Sequence, residues 1–109
     1  MKRLLLVYRH FGPYHRARWQ SLRASLPALG LEPVGLQVFA RAELHDWGTE
    51  PVPEGVTDLA LPFAARDRLR WGDASRVLRA LSAAAADVIA INGWGTREAW
   101  LAHAWCRWR

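Results

Sequence analysis

Two short segments hold most of the groups that can do chemistry. The first is Arg9-His10-Phe11-Gly12-Pro13-Tyr14-His15-Arg16, which packs two imidazoles, two guanidiniums and a phenol into eight residues. Guanidiniums grip phosphate or carboxylate as planar forks, and imidazoles move protons near neutral pH. Gly12 lets backbone approach a ligand, and a helix opening just after it would add amides that favour anions. The second segment is Asn92-Gly93-Trp94-Gly95-Thr96. Asn92 both donates and accepts hydrogen bonds, the glycines allow a tight turn, and Trp94 offers a flat face of the kind on which sugars and bases stack. Both segments admit a plainer reading. His15 is either a ligand or acid/base group in a crevice, or a cap or half-buried ring beside Trp19 and Leu22; Trp94 is either a platform or a core side chain.

Other chemistries lack their residues. No GxGxxG follows the first apolar run and no GxxxxGK[ST] occurs, so the usual NAD and ATP phosphate loops are disfavoured. His103 and Cys106 lie three apart and could share a metal, yet two ligands make no site, and no metal or other cofactor is expected. One cysteine excludes an internal disulfide and suits a reducing, cytoplasmic compartment.

The elements that must position these segments follow from hydrophobic spacing. In 109 residues there is room for one domain, and 51% hydrophobic residues is enough to form a core. The longest apolar run, Leu4 to Tyr8, is far below the roughly 20 residues of a membrane-spanning helix and reads as a strand buried on both faces. Trp19, Leu22, Leu26 and Leu29 then recur at helical steps. Strands are expected at 3–8, 34–39, 57–61 and 87–91, with a long polar loop over 40–56. Asp73 is placed to cap a helix whose apolar face is Val77, Leu78, Leu81 and Ala85. A last helix opens at Gly95 or Thr96 and carries Leu101, Trp105 and Trp108, with no later strand to cover the tryptophans. Strands alternating with helices predict an α/β fold: a Rossmann-like parallel sheet in the order 3-2-1-4, with flanking helices. In such sheets ligands bind beyond the carboxyl ends of the strands, between the first and the fourth, and both segments fall at that edge.

The formal charge of +5 is uneven. Lys2, Arg3, Arg9, Arg16, Arg18 and Arg23 fall in the first 25 residues, which contain no acid, and the rest is nearly neutral. This basic front could meet phosphate, an acidic substrate or an anionic membrane at its inner face, or could simply be a solvated helix face.

Phe11-Gly12-Pro13-Tyr14-His15-Arg16-Ala17-Arg18-Trp19 resembles the "PYHxAR" opening of one group of family 4 glycosyltransferases, enzymes of the two-domain GT-B fold. Asp87 to Gly95, with Ala99-Trp100-Leu101 and Trp105-Cys106-Arg107, is similar to the same group's fourth strand and following helix, and Arg41 to Trp47 to its loop after the second strand. The resemblance implies a chain corresponding to the front part of an N-terminal, acceptor-side domain. A retaining transfer from a nucleotide-sugar to a glycosyl acceptor would need the C-terminal donor-binding domain or a partner subunit, and the chain alone would be inactive. It marks Gly12, Tyr14, His15 and Arg16 near the donor phosphates and acceptor, with Asn92, Gly93 and Trp94 across the crevice. Many relatives carry a histidine at the position of Asn92, and an amide cannot act as a base. A non-catalytic ligand-binding or regulatory module is the alternative. Nucleic acid is disfavoured as a partner, because the tryptophans are spread over helices and loops instead of forming one stacking surface.

Overall fold

Leu5, Leu6 and Val7 are consecutive and all buried, as in a strand covered on both faces. The computed structural model, which describes residues 1–40, 51–64, 66, 68–91 and 93–109, places them in β1 (Lys2–Tyr8). β2 (Leu31–Phe39), β3 (Val56–Leu61) and, after a short antiparallel ribbon of β4 (Phe63–Ala64) and β5 (Arg68–Leu69), β6 (Val88–Ile91) follow. Four strands form a parallel sheet in the order β3-β2-β1-β6, which is the expected 3-2-1-4 winding. Lys2 to Tyr8 pair with Leu31 to Gln37 on one side, and Leu4 to Val7 with Val88 to Ile91 on the other. Growth of the sheet therefore reverses at β1, and the crevice of a Rossmann-like fold lies between the ends of β1 and β6.

Side-chain alternation sorts the two faces. Leu6 packs with Phe11 and Trp19 of α1 (Pro13–Ser25), whereas Leu5 and Val7 join Val77 and Leu81 of α2 (Ala74–Ala84) and Ala102 of α3 (Arg97–Trp108). Trp19 is 1% exposed, and its indole N–H donates to the Glu54 carbonyl at 2.9 Å, so the largest fully buried side chain leaves no donor unpaired.

Three expectations need correction. Leu29 is exposed: α1 ends at Ser25, a 3-10 turn takes over at Leu26–Leu29, and the chain has reached the N-terminal edge of the sheet, where the Gly30 carbonyl accepts from Lys2. Ala85 is no part of the apolar face, because it ends α2 in the left-handed conformation at φ 48°; the buried alanine is Ala86. Asp73 precedes α2 but makes no cap bond, since its carboxylate accepts from Arg70 Nε at 2.8 Å. On the last helix Trp105 finds cover against the core and donates to Ser82 Oγ at 3.1 Å, while Trp108 is exposed. The β4–β5 ribbon, pinned by the fully buried Leu69, was not anticipated.

Candidate functional site: an arginine-lined cleft at the sheet crossover

The loop leaving β1 is fixed by a buried amide. Phe11 N–H donates to Gln37 Oε1 at 2.8 Å, and Gln37 Nε2 donates to Asp58 Oδ1 at 3.0 Å. Asp58 Oδ1 also accepts from the Ala60 amide at 2.9 Å, beside a register shift between β2 and β3 where Ala60 takes φ 49°. One glutamine thus ties the first segment to two strands.

Gly12 is buried and caps α1 with φ −74° and ψ −179°, extended backbone that any residue adopts. Tyr14 is exposed and is held by Arg18, which donates to its hydroxyl at 2.7 Å and lies 4.5 Å over its ring. His15 stacks on Tyr8 at 4.3 Å, and its buried Nδ1 makes no hydrogen bond among the described residues. Burial pulls the His15 pKa below the usual histidine value, and Arg18 and His10 pull it further. His10 is lowered too, mainly by burial and also by Arg16, against the opposing pull of Asp58 and a backbone hydrogen bond at Ala40. Both rings are therefore neutral at pH about 7 and can exchange hydrogen bonds without adding charge. Arg16 donates to the Pro51 carbonyl.

In the second segment Gly93 takes φ 88°, a turn that a side chain would strain. Trp94 is 71% exposed and stacks on His103 with ring centroids 3.6 Å apart and planes within 5°. Its carbonyl accepts from Trp100 Nε1. Thr96 caps α3, its hydroxyl oxygen accepting from the Ala99 amide at 3.3 Å. Asn92, Arg41 to Trp47 and most of the expected loop over 40–56 lie outside the described residues.

An ion pair joins the first segment to α3, the helix that follows the second. Arg9 Nε reaches Glu98 Oε2 at 2.7 Å, with side chains 21% and 4% exposed, and the Arg9 guanidinium sits 4.8 Å from the Phe39 ring and 5.4 Å from that of Phe63. Above this pair opens a cleft of about 550 Å³. Gly95 and Thr96 just before α3 and Arg97 and Trp100 on it line one side, and Arg66, Arg68 and Trp71 line the other from the ribbon and the turn after it. Arg97 is fixed by donating to the Leu69 carbonyl at 2.9 Å and by lying 4.8 Å over the Trp71 ring. Arg66 is held at φ 60°, a conformation uncommon for a residue with a side chain.

The structure brings both predicted segments to one edge, but among the described residues the cleft itself takes only Arg9, Gly95 and Thr96 from them. Gly12, Tyr14, His15, Arg16, Gly93 and Trp94 are not among its lining residues. Sequence reasoning missed Arg66, Arg68, Trp71, Arg97, Glu98 and Trp100. Two signals were there to read: the alternation Arg66, Arg68, Arg70 running into Trp71, and a base at the first position of α3, where the helix dipole disfavours one. The basic front is partly structural, since Arg3 pairs with Glu32 at 3.1 Å and Arg23 with Glu54 at 3.4 Å.

No protein-family model, curated protein or solved structure matches the chain. Among the described residues no helix is long and apolar enough to cross a membrane, and no three His, Cys, Asp or Glu side chains gather as a metal site.

Proposed function

We propose that this chain is the acceptor-side part of a retaining glycosyltransferase that moves a sugar from a nucleotide donor. The observation that supports this reading is the cleft at the reversal of the sheet between β1 and β6, flanked by the two segments that resemble family 4 glycosyltransferases and lined by indoles and guanidiniums. Aromatic faces hold sugar rings, and arginines pair with the phosphates that such substrates carry. The donor-binding domain, in the same polypeptide or a partner, completes the active site. In this reading the α1 edge with Gly12, Tyr14, His15 and Arg16 faces the donor, and the α3 edge with Gly93 and Trp94 faces the acceptor.

The test is release of nucleoside diphosphate from UDP-, GDP- and ADP-sugars by the protein purified from its host together with whatever co-purifies. Host lipid and polar extracts serve as the acceptor pool. Release that requires an extract is the expected result. If no donor is consumed, or if consumption is unchanged after Arg9→Ala, the reading fails.

A further inference from the structure

Glu98 is an unusual occupant of a cationic cleft. Its Oε2 holds Arg9, but its Oε1 is buried and accepts no hydrogen bond among the described residues. Buried carboxylate oxygens are normally satisfied, so an orphan next to an open cleft marks a place for a donor that the protein does not supply. Around it the charge is of the other sign. Arg9 is matched by Glu98, whereas no carboxylate among the described residues pairs with Arg66, Arg68 or Arg97, all three of which line the same space. The first amides of α3, at Arg97 and Glu98, precede any intrahelical acceptor and add positive potential there. Trp100 is 64% exposed and lines the cleft with its indole N–H already engaged by the Trp94 carbonyl, so a fixed apolar plate faces the opening.

An anion alone would use the arginines and leave Glu98 and the indole idle. A neutral sugar would use the indole and Glu98 and leave three guanidiniums with no carboxylate among the described residues. We propose that the cleft binds a sugar monophosphate group, with the phosphate on Arg68 and Arg97, the ring against Trp100, and a ring hydroxyl donating to Glu98 Oε1. A phosphate monoester carries close to two negative charges near neutral pH and presents three acceptor oxygens, which fits two guanidinium forks better than a carboxylate does. The inference rests on the glycosyl-transfer reading of this cleft and names the ligand class: a phosphorylated glycosyl acceptor. The cleft volume of about 550 Å³ accommodates a hexose phosphate.

The experiment is titration calorimetry on the full chain with the anomeric and primary phosphates of glucose and mannose, with inorganic phosphate, and with glucose as separate probes. At least one sugar phosphate should bind about ten-fold or more tighter than inorganic phosphate, and glucose should give no measurable heat. Arg68→Ala changes an exposed side chain and should weaken the sugar phosphate by about ten-fold or more. Trp100→Ala should bring the sugar phosphate down to the affinity of inorganic phosphate. Equal affinity of all sugar phosphates and inorganic phosphate overturns the proposal, as does Arg68→Ala binding like the parent. The two readings fail separately. Extract-dependent transfer that survives Arg68→Ala overturns the ligand assignment and keeps the glycosyltransferase. Sugar-phosphate binding that is lost in Arg68→Ala, without transfer to any acceptor, supports the assignment and removes the glycosyltransferase.

Discussion

Truncating Glu98 to alanine tests how the cleft is held together. The Arg9–Glu98 contact is 2.7 Å long, Glu98 is 4% exposed and Arg9 21%, and two phenyl rings flank the guanidinium. Removing one member of such a buried pair leaves the other charge desolvated, a loss of roughly 3–5 kcal/mol where water is fully excluded. Arg9 borders an open cleft and can rehydrate by a small movement, which places the expected loss for Glu98→Ala at about 3 kcal/mol. That is a large share of the roughly 5–15 kcal/mol that stabilises a typical domain, and corresponds to a fall in Tm of about 15 °C for a chain of this size. The pairwise part is isolated by a double-mutant cycle of Arg9→Ala, Glu98→Ala and the double variant in urea titrations, where a coupling of roughly 1.5–3 kcal/mol is expected for a charged hydrogen bond. A coupling below about 0.5 kcal/mol, the range of exposed ion pairs, would refute the argument. It would mean that cleft water screens the pair and that something else aligns the loop after β1 with α3.

Gly35→Ala should destabilise by roughly 1–3 kcal/mol in the same titrations, since a Cβ there would stand 2.7 Å from Val56 Cγ2 and 3.3 Å from the Phe11 ring, and the β-branched Val56 has little freedom to turn away. Gln37→Leu leaves the buried Phe11 amide without its acceptor and should cost about 1–3 kcal/mol, with hydrogen exchange at Phe11 rising more than at strand β2. Because burial lowers the pKa of His10 and His15 in the folded state, the unfolded chain takes up these protons first as the solution is acidified. The stability contributed by the neutral rings is therefore complete above pH about 6.5 and is lost as the pH falls through the folded-state values. Urea midpoints should drop between pH about 7 and pH about 5, and His15→Phe, which keeps the stack on Tyr8, should flatten that drop; an unchanged slope would remove His15 from the account.

The sheet was legible because its signals are local and redundant. Leu4 to Tyr8 has no polar interruption, and β1 can be central only if helices cover both faces. Alternation of strands and helices then fixes parallel pairing and leaves few orders. The ribbon was not legible: two-residue strands have no period to detect, and what holds them is Leu69 reaching a core assembled from α2 and β2. The cleft was hidden for the same reason, since Arg9 and Glu98 are 89 residues apart. Trp94 and Trp100 could each have been core by composition alone. Only the placement of α3 on the sheet decides that both remain at the surface while Trp105 turns inward.

The pairing of β1 with β6 also dictates when the cleft can come into being. β1 meets β2 about one helix later in the chain, but Leu4 to Val7 wait for Val88 to Ile91. During synthesis β1, α1, β2 and β3 leave the ribosome before β6, so that until β6 arrives the β1 edge has unpaired amides and carbonyls and one face lacks α2 and α3. An edge of consecutive leucines in that state is a template for another copy of itself. Closure of the longest loop in the fold is slow for entropic reasons, so the step that seats β6 and brings Glu98 to Arg9 is the one most exposed to competition from aggregation. A ligand bridging α3 and the ribbon would favour the product of that last step. The same contacts that recognise it would then raise the yield of folded protein.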